Sequence, residues 1–219
     1  ASADSSSSNA GTTYFMPLAP ASRKSFDTSE NTCCHGTGLE TQLKYHECIY
    51  AANDDSLYVN LYIPSRATWH DKCVEVETLA PDVEGQGKYE ILIQGSARFA
   101  LKLRKPYWAE SFALGLNGTS VSAELTDGYY VLLQDWNNDI ITVEAPFTLW
   151  TEETPDVPGL CSVFYGPYVM AAISEQEDHL KIRLADFVQT GPLEFLYQGV
   201  RFIPLAGVNR EAYHAYFRT

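Results

Sequence analysis

The period of the apolar pattern changes once along this chain, near Asn53-Asp54-Asp55, and that change limits the folds open to it. Upstream, Leu39, Leu43, His46 and Ile49 recur at helical spacing. Downstream the spacing is two. Leu57, Val59, Leu61 and Ile63 alternate with Tyr58, Asn60 and Tyr62 in a strand that Pro64 ends. Residues 73–79 and 89–94 alternate as well, and Phe99, Leu101 and Leu103 share one face of a further strand. Ala113–Leu116 and Val121–Leu125 flank Asn117-Gly118, the dipeptide of a tight hairpin turn, which is also a glycosylation sequon with Thr119. Residues 129–133, 140–144, 147–150 and 161–165 continue the series. Short strands separated by turn signals predict a mainly β fold. We expect antiparallel β-sandwich over residues 53–219, in one or two subdomains. A single principal helix precedes it, from near Gly38 to near Ala51. Residues 1–10 are too small-sided and polar to pack and are expected to form a flexible leader.

Chemistry concentrates just before that helix, in Cys33-Cys34-His35-Gly36-Thr37-Gly38-Leu39-Glu40. Thr37 and Glu40 have the spacing of a capping box, which places the two thiols on a glycine-punctuated turn leading into the helix. The first turn of a helix presents unpaired N–H groups and the positive end of the dipole. A cysteine held there has more thiolate, the form that attacks electrophiles and binds metal. Adjacent cysteines can equally be two small core residues, since free Cys is among the most buried residue types. Glycines beside a helix start favour a site, because they mark backbone that approaches something closely. Glu40 reads as a helix cap, His35 as a solvated turn residue and His46 as a packed, hydrogen-bonded core residue.

The net charge is −13 and no basic cluster is visible, which argues against a nucleic-acid partner. No run approaches the ~18 consecutive apolar residues of a membrane span. Five cysteines at irregular spacing do not form a disulfide framework, and reduced thiols fit a cytoplasmic compartment best, with an extracytoplasmic one left open. Trp69, Trp108, Trp136 and Trp150 fall at strand positions where aromatics fill a sandwich core, although the same residues could stack on sugars. Residues 152–156 read as a solvated acidic loop.

Taken in order, Tyr14-Phe15-Met16-Pro17-Leu18, the Cys33–Glu40 run, Lys44-Tyr45 and Leu57–Ser65 resemble successive signatures of the β-L-arabinofuranosidase-like glycoside hydrolases, family 127 and its relatives. The likeness continues through Leu103–Trp108, Leu116-Asn117-Gly118 and Tyr165–Ala171 and ends at Tyr213–Phe217, similar to that family's C-terminal strand.

The resemblance implies an (α/α)-barrel catalytic domain followed by β-sandwich domains, with residues 11–52 as the end of the helical domain. It implies retaining hydrolysis of β-L-arabinofuranosides, with Cys33 at the nucleophile position and Cys34 as its zinc-binding neighbour. In such members a zinc ion is held by a glutamate and three cysteine sulfurs, the nucleophile among them, which suits zinc's preference for thiolate. The acid/base glutamate, the zinc-binding glutamate and the third cysteine lie upstream in the family. Cys48, Cys73 and Cys161 do not stand where that third sulfur is expected. This chain by itself is therefore expected to bind zinc weakly or not at all and to be inactive. Its implied partners are a carbohydrate substrate and an N-terminal helical domain, with no nucleic acid and no membrane. A reading from another class is a non-catalytic module that binds carbohydrate or stabilises a partner domain.

Overall fold

The computed structural model describes residues 13, 15–26, 33–79 and 85–219; within the helix, the side chains of residues 33–35, 39 and 42 fall outside the description. The expected leader at residues 1–10 lies outside the described residues. Contacts divide the chain into two units, one of residues 41–147 and one in which the residues up to Glu40 join 148–219.

The principal helix, α1, spans Cys33–Ile49. It begins five residues before the expected start at Gly38, and Thr37 lies in its second turn. The proposed capping box is therefore not the helix start. Gly36 and Gly38 are carried inside the helix, where a glycine costs about 1 kcal/mol relative to alanine but does not forbid the conformation. The helix ends at Ile49 because Tyr50–Ala52 leaves it to form β1, paired with β2 (Ser56–Val59). Leu61 and Ile63, expected in that strand, lie beyond it. Asn60 instead closes the end of the helix, its backbone N–H donating to the Ile49 carbonyl at 2.8 Å and its side-chain amide to the Cys48 carbonyl at 3.1 Å.

The rest of this unit is β3 (Ser65–Trp69), β4 (Val74–Thr78), β5 (Lys88–Gln94), β6 (Ser96–Arg104), β7 (Ala113–Leu116), β8 (Thr119–Val121), β9 (Glu124–Thr126), β10 (Tyr129–Asn137) and β11 (Ile140–Glu144). They form two sheets, ordered β1-β2-β6-β10-β9 and β3-β4-β5-β11-β7-β8. Pairing is antiparallel except between β2 and β6, which run parallel because the chain visits the other sheet in between. Alternation decides the core: Leu57, Val59, Phe99, Leu101, Leu103, Leu132 and Trp136 from one sheet bury with Val74, Val76, Ile91, Ile93, Ile141 and Val143 from the other. The Trp136 indole N–H donates to the Phe99 carbonyl at 2.9 Å, so its polar atom is satisfied inside. Trp69, partly buried, packs against that core and meets Phe99 edge-on at 5.2 Å. Asn117 and Gly118 both take positive φ, 51° and 79°, as a two-residue hairpin between β7 and β8 requires.

The second unit is built on one antiparallel sheet, ordered β12-β13-β14-β17-β16-β15. Its strands are β12 (Leu149–Glu153), β13 (Leu160–Tyr165), β14 (Tyr168–Ile173), β15 (Val188–Gly191), β16 (Glu194–Tyr197) and β17 (Val200–Pro204). The segment expected as one C-terminal strand is two short ones, β18 (Tyr213–His214) on β14 and β19 (Phe217–Arg218) on β13. Ala171, Ile203, Val208, Tyr213 and Ala215 bury together, with Met16 of the N-terminal segment packed against them. No helix among the described residues is long and apolar enough to cross a membrane.

Candidate active site at the start of the helix

Cys33 and Cys34 are the first two residues of α1, so their backbone occupies the turn whose N–H groups lack intrahelical partners. Their side chains, and that of His35, lie outside the described residues. Gly36 is exposed, and a Cβ placed on it would meet nothing within 4 Å among the described residues. His46, expected in the core, is exposed on the helix; Leu43 and Tyr45 beside it are 70% and 47% exposed. Helical periodicity marks an apolar stripe, but among the described residues of α1 only Ile49 is buried.

Ahead of the helix in sequence, residues 15–26 form a strap on the second unit. Its Ser22 bridges Tyr213, whose backbone N–H donates to the Ser22 carbonyl at 2.9 Å and whose hydroxyl donates to the Pro17 carbonyl. Lys24 is 4% exposed, and its ammonium donates to the carbonyls of Leu205 at 2.6 Å and Val208 at 2.7 Å. Burial lowers its pKa to about 8, against a smaller opposing pull from Glu211. Arg23 pairs with Glu175 and donates to the Arg210 carbonyl at 2.9 Å. Nothing in the sequence announced this arrangement, because a buried lysine has no pattern of its own.

The other cysteines are free thiols. Cys48 and Cys73 are exposed, and Cys161 is buried in β13, where burial and the nearby Glu153 charge push its thiol up, away from thiolate. Among the described residues no three His, Cys, Asp or Glu side chains group to hold a metal. Zinc takes four ligands, of which Cys33 and Cys34 would supply two. The acidic stretch also differs from the loop expected of it. Glu152 and Glu153 end strand β12, and with Thr154, Ser162, Phe164 and Tyr216 they line an open cleft of about 330 Å³.

The chain thus carries a two-sheet sandwich unit, a second β unit, and a helix whose first residues are a cysteine pair. Residues 56–147 match the family model of the β-L-arabinofuranosidase GH127 middle domain, and the likeness to that family is thus carried by the chain's own sequence over the sandwich unit. In fold the chain is similar to a GH127 β-L-arabinofuranosidase from Geobacillus stearothermophilus T6, with a TM-score of 0.65, 16% identity, and coverage of 85% of this chain and 37% of that one. A protein described as a glycoside hydrolase gives a TM-score of 0.71 at 18% identity, covering 90% of this chain and 41% of that one. A GH127 β-arabinofuranosidase gives 0.69 at 17%, covering 94% and 42%. The chain spans about two fifths of the length of these solved proteins. No curated protein sequence matches the chain.

Proposed function

We propose that this chain is the C-terminal part of a retaining glycoside hydrolase acting on β-L-arabinofuranosides or related glycosides, with Cys33 as nucleophile and Cys34 as its metal-binding neighbour. The observation that carries the reading is the placement of Cys33 and Cys34 in the first turn of α1, on a chain whose sandwich matches the GH127 middle domain. Partial positive charge at that helix end stabilises thiolate, the state needed for attack. In the first step the Cys33 thiolate bonds to the anomeric carbon, the glycosidic C–O bond breaks, and the leaving oxygen takes a proton from a carboxylic acid outside this chain. In the second, water loses a proton to that carboxylate and displaces the sulfur, so configuration is retained and the thiolate returns. Zinc bound through Cys33 and Cys34, with ligands from elsewhere, would keep the thiol deprotonated.

The partner in this reading is an N-terminal helical domain that supplies the acid and the missing ligands. The exposed Leu43 and Tyr45 on α1 suit such a neighbour. Free Cys48, Cys73 and Cys161 suit a reducing, cytoplasmic setting. The test is Cys33→Ser in the intact polypeptide, assayed on an aryl β-L-arabinofuranoside. Turnover should vanish while the circular-dichroism spectrum stays unchanged. Retained turnover removes Cys33 from the role, and an intact protein that never hydrolyses such substrates but binds them supports the non-catalytic module instead.

A further inference from the structure

We propose that Asn117 is a guarded deamidation site: Asp139 and Ile140 hold its side-chain amide away from the Gly118 nitrogen, and losing that hold lets the residue convert to aspartate or isoaspartate. Asn-Gly occurs once in the chain, here, and glycine suits the reaction because no Cβ hinders its own nitrogen. The Gly118 nitrogen, its proton lost to solvent base, bonds to Cγ of Asn117. The Cγ–Nδ2 bond breaks, and ammonia leaves with a proton from water. Water then opens the cyclic imide at either carbonyl, giving aspartate or isoaspartate. Overall, water enters and ammonia departs, with nothing oxidised or reduced. Base and water reach the site, since Asn117 and Gly118 are exposed and a Cβ on Gly118 would meet nothing within 4 Å.

Against the reaction stands a clasp of three bonds at the turn of the β7–β8 hairpin. The Asn117 Nδ2 donates to Asp139 Oδ1 at 2.7 Å, its Oδ1 accepts from the Ile140 N–H at 2.9 Å, and its backbone N–H donates to the Ile140 carbonyl at 2.9 Å. Bringing Cγ onto the Gly118 nitrogen requires the side chain to turn, and turning breaks the bonds at both ends of the amide. The guard is itself fixed. Asp139 Oδ2 accepts from the Asn137 N–H at 2.7 Å, and its carbonyl accepts from the Ile93 N–H of β5 at 2.9 Å. Asn138, at φ 57°, completes that turn, its Oδ1 accepting from the Gly95 N–H at 3.0 Å. Asp139 also acts through charge: attack builds negative charge on the Asn117 Oδ1, which a neighbouring carboxylate disfavours. Hydrogen bonds to a charged acceptor are roughly twice as strong as neutral ones, so losing this one should raise the population of open amide about tenfold. Conversion to aspartate would set a second carboxylate against that of Asp139 where a bond had been, and the hairpin would lose this hold on β11.

The test incubates the full 219-residue chain in mildly alkaline buffer well below its Tm and reads the fraction converted at position 117 by peptide mapping with mass spectrometry. The free peptide of residues 113–121 sets the unguarded rate. The parent should convert at least about tenfold more slowly than the peptide, and Asp139→Ala about tenfold faster than the parent. Val143→Ala, buried in β11, weakens the same unit without touching the clasp and should convert at the parent's rate. Asp139→Asn keeps an acceptor without the charge and should fall between the parent and Asp139→Ala. It decides the matter if Asp139→Ala fails to fold: a rate above the parent's supports the guard, and any other result overturns it. A parent as fast as the peptide overturns the proposal, as does an Asp139→Ala rate equal to or below the parent's. Equal acceleration in Val143→Ala would assign the effect to general loosening of the unit, and that also overturns it.

Discussion

Replacing Gly87 by alanine should cost far more than the same change at Gly118, although both glycines have positive φ, 67° and 79°. A Cβ on Gly118 meets nothing within 4 Å, so Gly118→Ala pays only the left-handed strain, about 1–2 kcal/mol. A Cβ on Gly87 would sit 1.8 Å from the Ala145 carbonyl oxygen and 2.7 Å from its carbon. Backbone has to move by more than an ångström to admit it. That movement breaks the bond from the Ala145 N–H to the Gly87 carbonyl, 2.7 Å long, where β5 and β11 come together. Adding a lost hydrogen bond of about 1 kcal/mol and backbone displacement of about 1–3 kcal/mol to the strain gives roughly 3–6 kcal/mol in total. At about 4–8 °C per kcal/mol for a unit of this size, Gly87→Ala should lower Tm by more than about 12 °C, and Gly118→Ala by at most about 16 °C and at least 8 °C less than Gly87→Ala. Thermal unfolding followed by tryptophan fluorescence reads this unit through three of the four tryptophans, Trp69, Trp108 and Trp136. Equal shifts for the two variants would refute the packing of Gly87 against Ala145.

Acid should weaken the second unit through His214. The side chain is 1% exposed; burial holds its pKa below the ordinary histidine value, a backbone hydrogen bond with Gln176 opposes, and His179 acts in the lowering direction. The unfolded chain takes up the proton first, so stability is full above about pH 7 and falls as pH drops through the ordinary histidine range toward the lowered folded value. His214→Phe should flatten the Tm profile between about pH 5 and 7, and an unchanged slope would remove His214 as the cause. For metal, the purified 219-residue chain should retain little zinc after dialysis. Stoichiometric, tightly held zinc by metal analysis would mean that other residues complete the site around Cys33 and Cys34.

Period-two alternation made the sandwich legible: the buried faces of β4, β5 and β6 follow directly from residues 74–76, 91–93 and 99–103. The Asn117-Gly118 turn was legible for a steric reason, since few dipeptides accept two positive φ values. The start of α1 was not. Capping residues inside a helix look the same in sequence as capping residues at its end, and Gly36-Thr37-Gly38 reads as a stop where the chain continues through it. His46 was misplaced because helical periodicity shows that residues share a face, and not what covers that face. The parallel β2–β6 pair and the strap were hidden for a common reason. Both depend on partners far along the chain, which local spacing does not encode. The thiol pair was visible as a motif, whereas the bonds of Lys24 and Tyr213 to carbonyls far along the chain were not.

The most direct measurement of the central claim is to quench the intact polypeptide with acid during turnover of an activated aryl β-L-arabinofuranoside and map the glycosylated peptide by mass spectrometry. The account predicts a pentosyl adduct on the sulfur of Cys33, absent in Cys33→Ser. An adduct on Cys34, or on a carboxylate with Cys33 unmodified, would contradict it.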